Sequence, residues 1–115
     1  MSLGIRSNTA SKRRAHAPVF AALGDATRLS LIARLAGGEP CSIVQLTDGS
    51  RLTRQAISKH LRVLEGVGIV RCVRSGRESL FELDPKPIAD VRSYLDAVSE
   101  QWDDALSRLK SFVER

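Results

Sequence analysis

Two cysteines, two histidines and a handful of aromatic side chains (three Phe, one Tyr, one Trp) are scattered through 115 residues. With so few rings the core is expected to be aliphatic, built from Leu, Ile, Val and Ala. Cys41 and Cys72 have neither the short spacing of a metal-binding pair nor the number needed for a disulfide framework. A reducing, cytoplasmic setting is therefore expected. No stretch approaches 18 consecutive apolar residues, so no membrane span is predicted. The basic cluster near the start is not followed by an apolar run, so it does not read as a signal peptide. No nucleophile–base pair, phosphate-cradling loop or metal cluster is visible, so neither an enzyme nor a cofactor is expected. A chain of this length forms one domain with a modest core.

Acids are also missing where they would matter most. Residues 51–77 carry Arg51, Arg54, Lys59, Arg62, Arg71, Arg74 and Arg77 against the single acid Glu65. The stretch 84–115 has seven acids and five bases. The net charge is +5 and the pI about 9.9. A basic middle beside a mildly acidic end polarises the molecule and suits one face to a polyanion.

Periodicity supplies the elements. Residues 1–15 are polar and without pattern, and are expected to form a flexible basic arm in which Arg6, Lys12, Arg13 and Arg14 are candidate phosphate contacts; the rest, 16–115, is the folded domain. A first helix is predicted from Pro18 through Val19, Phe20 and Leu23 to Gly24. Asp25 suits the N-cap of a second, which Gly37-Gly38 stop. Ser42 with Gln45 is a capping-box pattern for a short third helix. An Asp48-Gly49 turn follows, and Thr53 caps a fourth helix ending near Gly66. Two β-prone runs flank Ser75-Gly76 as a hairpin. A last helix, about 85–114, carries Ile88, Val91, Leu95, Val98, Trp102, Leu106, Leu109 and Val113 at intervals of three or four. The fold class is thus mainly α with a β-hairpin wing, in the order α-α-α-α-β-β-α: a winged helix-turn-helix.

The fourth helix, which opens "TRQAISKHL", is the candidate site. Ile57, Leu61 and Leu64 form the stripe that anchors it. The opposite face offers Arg54, Gln55, Ser58 and Lys59, which all donate hydrogen bonds and include no acid. Such a face can enter a major groove about 12 Å wide, where Arg pairs with guanine and Gln with adenine. A solvated polar face is the plain alternative. The turn before it and the arginine hairpin after it favour reading of double-stranded DNA. Thr53, Arg62, Arg71, Arg74 and Arg77 are the candidate phosphate and wing contacts. The last helix has more apolar surface than so small a domain needs. Trp102, Leu106 and Leu109 are therefore expected to meet a second copy, which would set two such helices about one DNA turn apart.

"FAALGDATRLSLIARL", "LTRQAISKHLRVLEGVGIV" and "RSGRESLFEL" resemble the ArsR-type winged helix-turn-helix repressors, over a span from about residue 17 to the end. The resemblance implies a homodimer paired through its first and last helices, with Val19, Phe20, Leu95 and Val98 joining the seam. It also implies a palindromic operator and a repressor role. Thr53, Arg54, Gln55, Ser58 and Lys59 match the family's base- and phosphate-facing positions, and Arg77 its wing arginine. Metal sensors of the family carry a Cys-x-Cys pair before the reading helix or His, Asp and Glu along the last one. Here "EPCSIVQL" has the lone thiol Cys41, and the last helix has neither His nor Cys. The ending "QWDDALSRLKSFVE" is similar to the branch without metal sites. Two alternatives stay open: a thiol-redox-responsive repressor using Cys41, with Cys72 buried in a strand, and a winged-helix protein-interaction module. His60 is expected to be a packing residue. No small-molecule effector is indicated.

Overall fold

The computed structural model describes the backbone of residues 2–114 and the side-chain surroundings of residues 10–114. Five helices and one hairpin follow in the expected order. They are α1 (Ser2–Leu23), α2 (Ala26–Leu35), α3 (Ile43–Thr47), α4 (Arg54–Gly66), β1 (Val70–Ser75), β2 (Glu78–Leu83) and α5 (Lys86–Val113).

Each short helix is started by the cap its sequence supplies. Asp25 accepts from the Arg28 backbone N–H at 3.0 Å. Ser42 and Gln45 form the reciprocal capping box, Gln45 N–H to Ser42 Oγ at 3.2 Å and Ser42 N–H to Gln45 Oε1 at 2.8 Å. Thr53 Oγ1 accepts from Ala56 N–H at 3.1 Å. Each bond satisfies a donor that the first helical turn would otherwise leave open.

Ile57, Leu61 and Leu64 are fully buried and place α4 at the centre of the core. Leu31 and Leu35 of α2, Leu46 of α3, Ile69, Val70 and Phe81 close around them, with Val19 and Ala22 of α1 and Val91 of α5. The buried set is wholly apolar, and burying each Leu or Ile contributes about 1.5–3 kcal/mol. The core is aliphatic apart from Phe81, as the scarcity of rings requires.

The hairpin pairs Val70 with Leu83 through Ser75 with Glu78, which leaves Gly76-Arg77 as the two-residue loop. The turn thus lies one residue later than the Ser75-Gly76 expectation. Gly76 has φ +63° and no described non-glycine residue has positive φ, the II′ arrangement that matches strand twist. Cys41 forms a third rung beside Phe81, with N–H···O bonds of 2.9 and 2.8 Å.

Three further expectations differ from the structure. The first helix does not start at Pro18 but runs from Ser2, with Pro18 inside it. Pro18 reads as a helix start because its missing N–H is harmless there. The Ala-, Ser- and Arg-rich stretch before it nevertheless takes helical backbone, so residues 2–15 are not an irregular arm. Met1 and the Arg6 side chain lie outside the described residues. Cys72 is exposed rather than buried, because β1 is covered only at Val70. Val19 is already buried within its own chain, which leaves it little surface for a seam.

α5 spans 28 residues, about 42 Å at 1.5 Å per residue. Only Val91 of it is buried, and every described residue from Ser99 onward is exposed. Tyr94 packs against His16 and Phe20 of α1, at centroid distances of 4.9 and 6.2 Å. The radius of gyration is 19.1 Å, against about 13 Å for a compact chain of this length.

Candidate nucleic-acid interface

Helix geometry divides α4 into two faces. With Ile57, Leu61 and Leu64 inward, Arg54, Gln55, Lys59 and Arg62 emerge exposed, and Ser58 lies half-buried between them. Thr53 sits exposed at the N-terminus, its hydroxyl oxygen engaged by the cap. Arg54, Gln55, Ser58, Lys59 and Arg62 line an open cleft of about 680 Å³ whose other wall is Ile43 and Val44 of α3.

A second set of contacts holds α4 against the rest of the domain. The Arg28 side chain donates from Nε to Ala22 O at 2.6 Å and from Nη2 to Ala21 O at 3.4 Å, covering carbonyls at the end of α1. Its Nη1 lies 3.4 Å from His60 Nδ1. Asp25 Oδ1 is 4.0 Å from the same nitrogen. The Arg28 backbone N–H bond holds the Asp25 carboxyl below the usual carboxylate range; desolvation opposes it, and the nearby Arg28 and His60 side chains add to the lowering. His60, expected as a satisfied packing residue, has Arg28 and Asp25 as its polar neighbours. Arg28 went unnoticed in the sequence, since an arginine on a short helix looks like any solvated charge.

The wing arginines separate. Arg71 Nε donates to Glu82 Oε1 at 2.8 Å, and Nη1 lies 3.9 Å from Asp84 Oδ2. The Glu82 hydrogen bond and charge hold this guanidinium more firmly protonated. Arg74, opposite Ser79, and Arg77, in the turn, are exposed and form no ion pair with a described residue. The acid-poor stretch 51–77 did not reveal Glu82, because strand pairing brings it across from Arg71.

The two thiols stand on opposite sides of Phe81, Cys41 by the isolated bridge and Cys72 by the β1–β2 register. Two strand spacings put their Cα atoms about 9.5 Å apart. That exceeds the roughly 7 Å limit for a disulfide, so Cys72 cannot act as the resolving partner of Cys41 without backbone movement. Among the described residues no three His, Cys, Asp or Glu side chains converge on a position for a metal ion. No described helix is long and apolar enough to cross a membrane.

Residues 23–73, from the end of α1 through α4 into β1, match a family described as a helix-turn-helix domain. The HTH-type transcriptional regulator Rv2034 of Mycobacterium tuberculosis is 32% identical over 93 residues, 81% of this chain and 83% of the relative. The solved structure of an ArsR-like transcriptional regulator from Rhodococcus sp. RHA1 superposes with a TM-score of 0.84 at 31% identity, covering 91% of this chain and 95% of that one.

The chain belongs to the ArsR-like family of winged helix-turn-helix transcriptional regulators. As such it is a DNA-binding regulator of transcription. The regulator is also 32% identical over 85 residues to the HTH-type transcriptional repressor SmtB of Mycobacterium tuberculosis, of which those residues make up 61%. A homodimeric winged helix-turn-helix DNA-binding domain from Mycobacterium bovis shares the fold at 20% identity, with a TM-score of 0.63.

Proposed function

We propose that the regulator is a homodimeric, sequence-specific repressor that places one α4 in each of two successive major grooves of a palindromic operator. The observation that carries this reading is the single exposed face of α4. Arg54, Gln55, Ser58 and Lys59 stand in its first two turns, with no acid among them. In this reading Arg54 and Gln55 select guanine and adenine edges, Ser58 and Lys59 add hydrogen bonds, and Thr53, Arg62, Arg74 and Arg77 hold phosphates.

Pairing is supported by the apolar stripe of α5. Leu95, Trp102, Leu106 and Leu109 are each about half exposed or more, Val98 less so. Phe20 beside Tyr94 continues that surface onto α1. The homodimeric Mycobacterium bovis domain is an instance of the same fold in paired form. The repressor role follows the relative named as one. A metal effector has no place in this reading, because α5 contains neither His nor Cys and Cys41 stands alone before α3. A cytoplasmic location accords with a chromosomal target.

Binding-site selection from a random duplex library, followed by anisotropy titration at several salt concentrations, tests the proposal. The expected result is an inverted repeat bound at nanomolar affinity with a steep salt slope. Arg54→Ala should relax preference at one position of each half-site, by about 1–3 kcal/mol. Failure to enrich any sequence, or enrichment of a single non-repeated site by a monomer, overturns it.

A further inference from the structure

The cleft beside α4 has one wall that hydrogen bonding does not explain. Val44 of α3 is 54% exposed, although α3 has only five residues in which to place an apolar side chain. Leu46 anchors that helix in the core and Ile43 packs half-buried at its edge. Val44 points instead into the cleft shared with Arg54, Gln55 and Ser58. No described residue covers it. The cations around the cleft, Arg54, Lys59 and Arg62, make its occupant a polyanion, and the proposed function makes that occupant the major groove of DNA.

A phosphate gains nothing from an aliphatic neighbour. Among the groups on the major-groove edge of a base pair, the C5 methyl of thymine is the one apolar group that projects into the groove. We propose that Val44, backed by Ile43, is a specificity-determining residue that receives a thymine methyl in each half-site. The regulator then reads a pyrimidine by shape and dryness from α3 while it reads purine edges by hydrogen bonds from α4. This inference rests on the DNA-reading assignment of α4 and adds a second helix to it.

Replacing thymine by deoxyuridine removes that methyl and leaves every hydrogen-bonding group in place. The test uses the full-length protein and a fluorescein-labelled duplex of the selected sequence, with each thymine of a half-site exchanged in turn. At one position the exchange should weaken wild-type binding by about fourfold, the value of one methyl taken out of water. In Val44→Ala the same exchange should change affinity less than twofold, while exchanges elsewhere act alike on both proteins. Val44 is exposed, so the variant is expected to fold, and an unchanged melting temperature confirms it. If no thymine is methyl-dependent, or if the loss is the same in Val44→Ala, the inference fails while the α4 reading stands. If the wild-type protein selects no duplex at all, it is the α4 reading that fails.

Discussion

Arg71 and Glu82 face each other across the wing, Nε to Oε1 at 2.8 Å, in paired register positions of the two strands. The charge of this arginine is therefore matched before any DNA arrives. Arg74 and Arg77 have no such match among the described residues. The wing presents two available cations, where its sequence shows three.

Salt-dependent titration separates these arginines. Arg77→Ala and Arg74→Ala should each flatten the salt slope of DNA binding by about one ion and weaken all sequences alike. Arg71→Ala should change the slope by less than half as much. An Arg71→Ala slope equal to that of Arg77→Ala would show that the Glu82 pair opens on DNA.

The Asp25 cap makes a pH prediction. Its folded pKa lies below the ordinary value of about 3.9. The ionised carboxylate therefore adds stability that is fully present above pH 4 and is lost as pH falls through the folded value. Asp25→Asn keeps a capping oxygen but removes the charge. Wild type should melt above Asp25→Asn at pH 7, and the two curves should converge below pH 4. A gap that persists undiminished to pH 2.5 would assign the difference to geometry.

Pairing through α5 predicts a simple change of mass. Wild-type protein should sediment at twice the 12.6 kDa chain mass, and Leu106→Glu or Leu109→Glu should sediment as one chain. Helical content should be retained, because both side chains are exposed in the single chain. DNA affinity should fall at least 100-fold as the two half-sites cease to be bound together. A wild-type monomer at micromolar concentration would refute the seam.

The thiols should differ in rate and stay unjoined. Cys72, exposed on β1, should alkylate faster than half-buried Cys41. Mild oxidant should produce no intrachain Cys41–Cys72 disulfide by intact-mass analysis of the unlabelled protein. Detection of that bond would require β2 to leave the sheet, because Phe81 stands between the two positions.

Much of the site was legible because its signals are local. The caps at Asp25, Ser42 and Thr53 depend on residues within three positions of one another, and all three form. The Ile57, Leu61 and Leu64 stripe follows from the helical repeat, which also fixes where Arg54, Gln55 and Lys59 must point. Val44 was not legible in this way. A five-residue helix is too short for periodicity to tell a core position from a cleft wall. Pro18 misled because proline is favoured in the first turn of a helix and costly inside one, so its position in α1 goes against the local signal.

The sequence by itself determined where the helices after α1 lie and begin, and which side of α4 is free to meet a partner. These follow from contacts between near neighbours and from a repeat of 3.6 residues. Only the tertiary structure decided that Arg71 is spent on Glu82, that Cys41 and Cys72 lie beyond bonding reach, that Arg28 ties α1 and α2 to His60, and that Val44 borders the reading cleft. Each of these joins residues far apart in the chain, and only strand register or helix packing sets such distances.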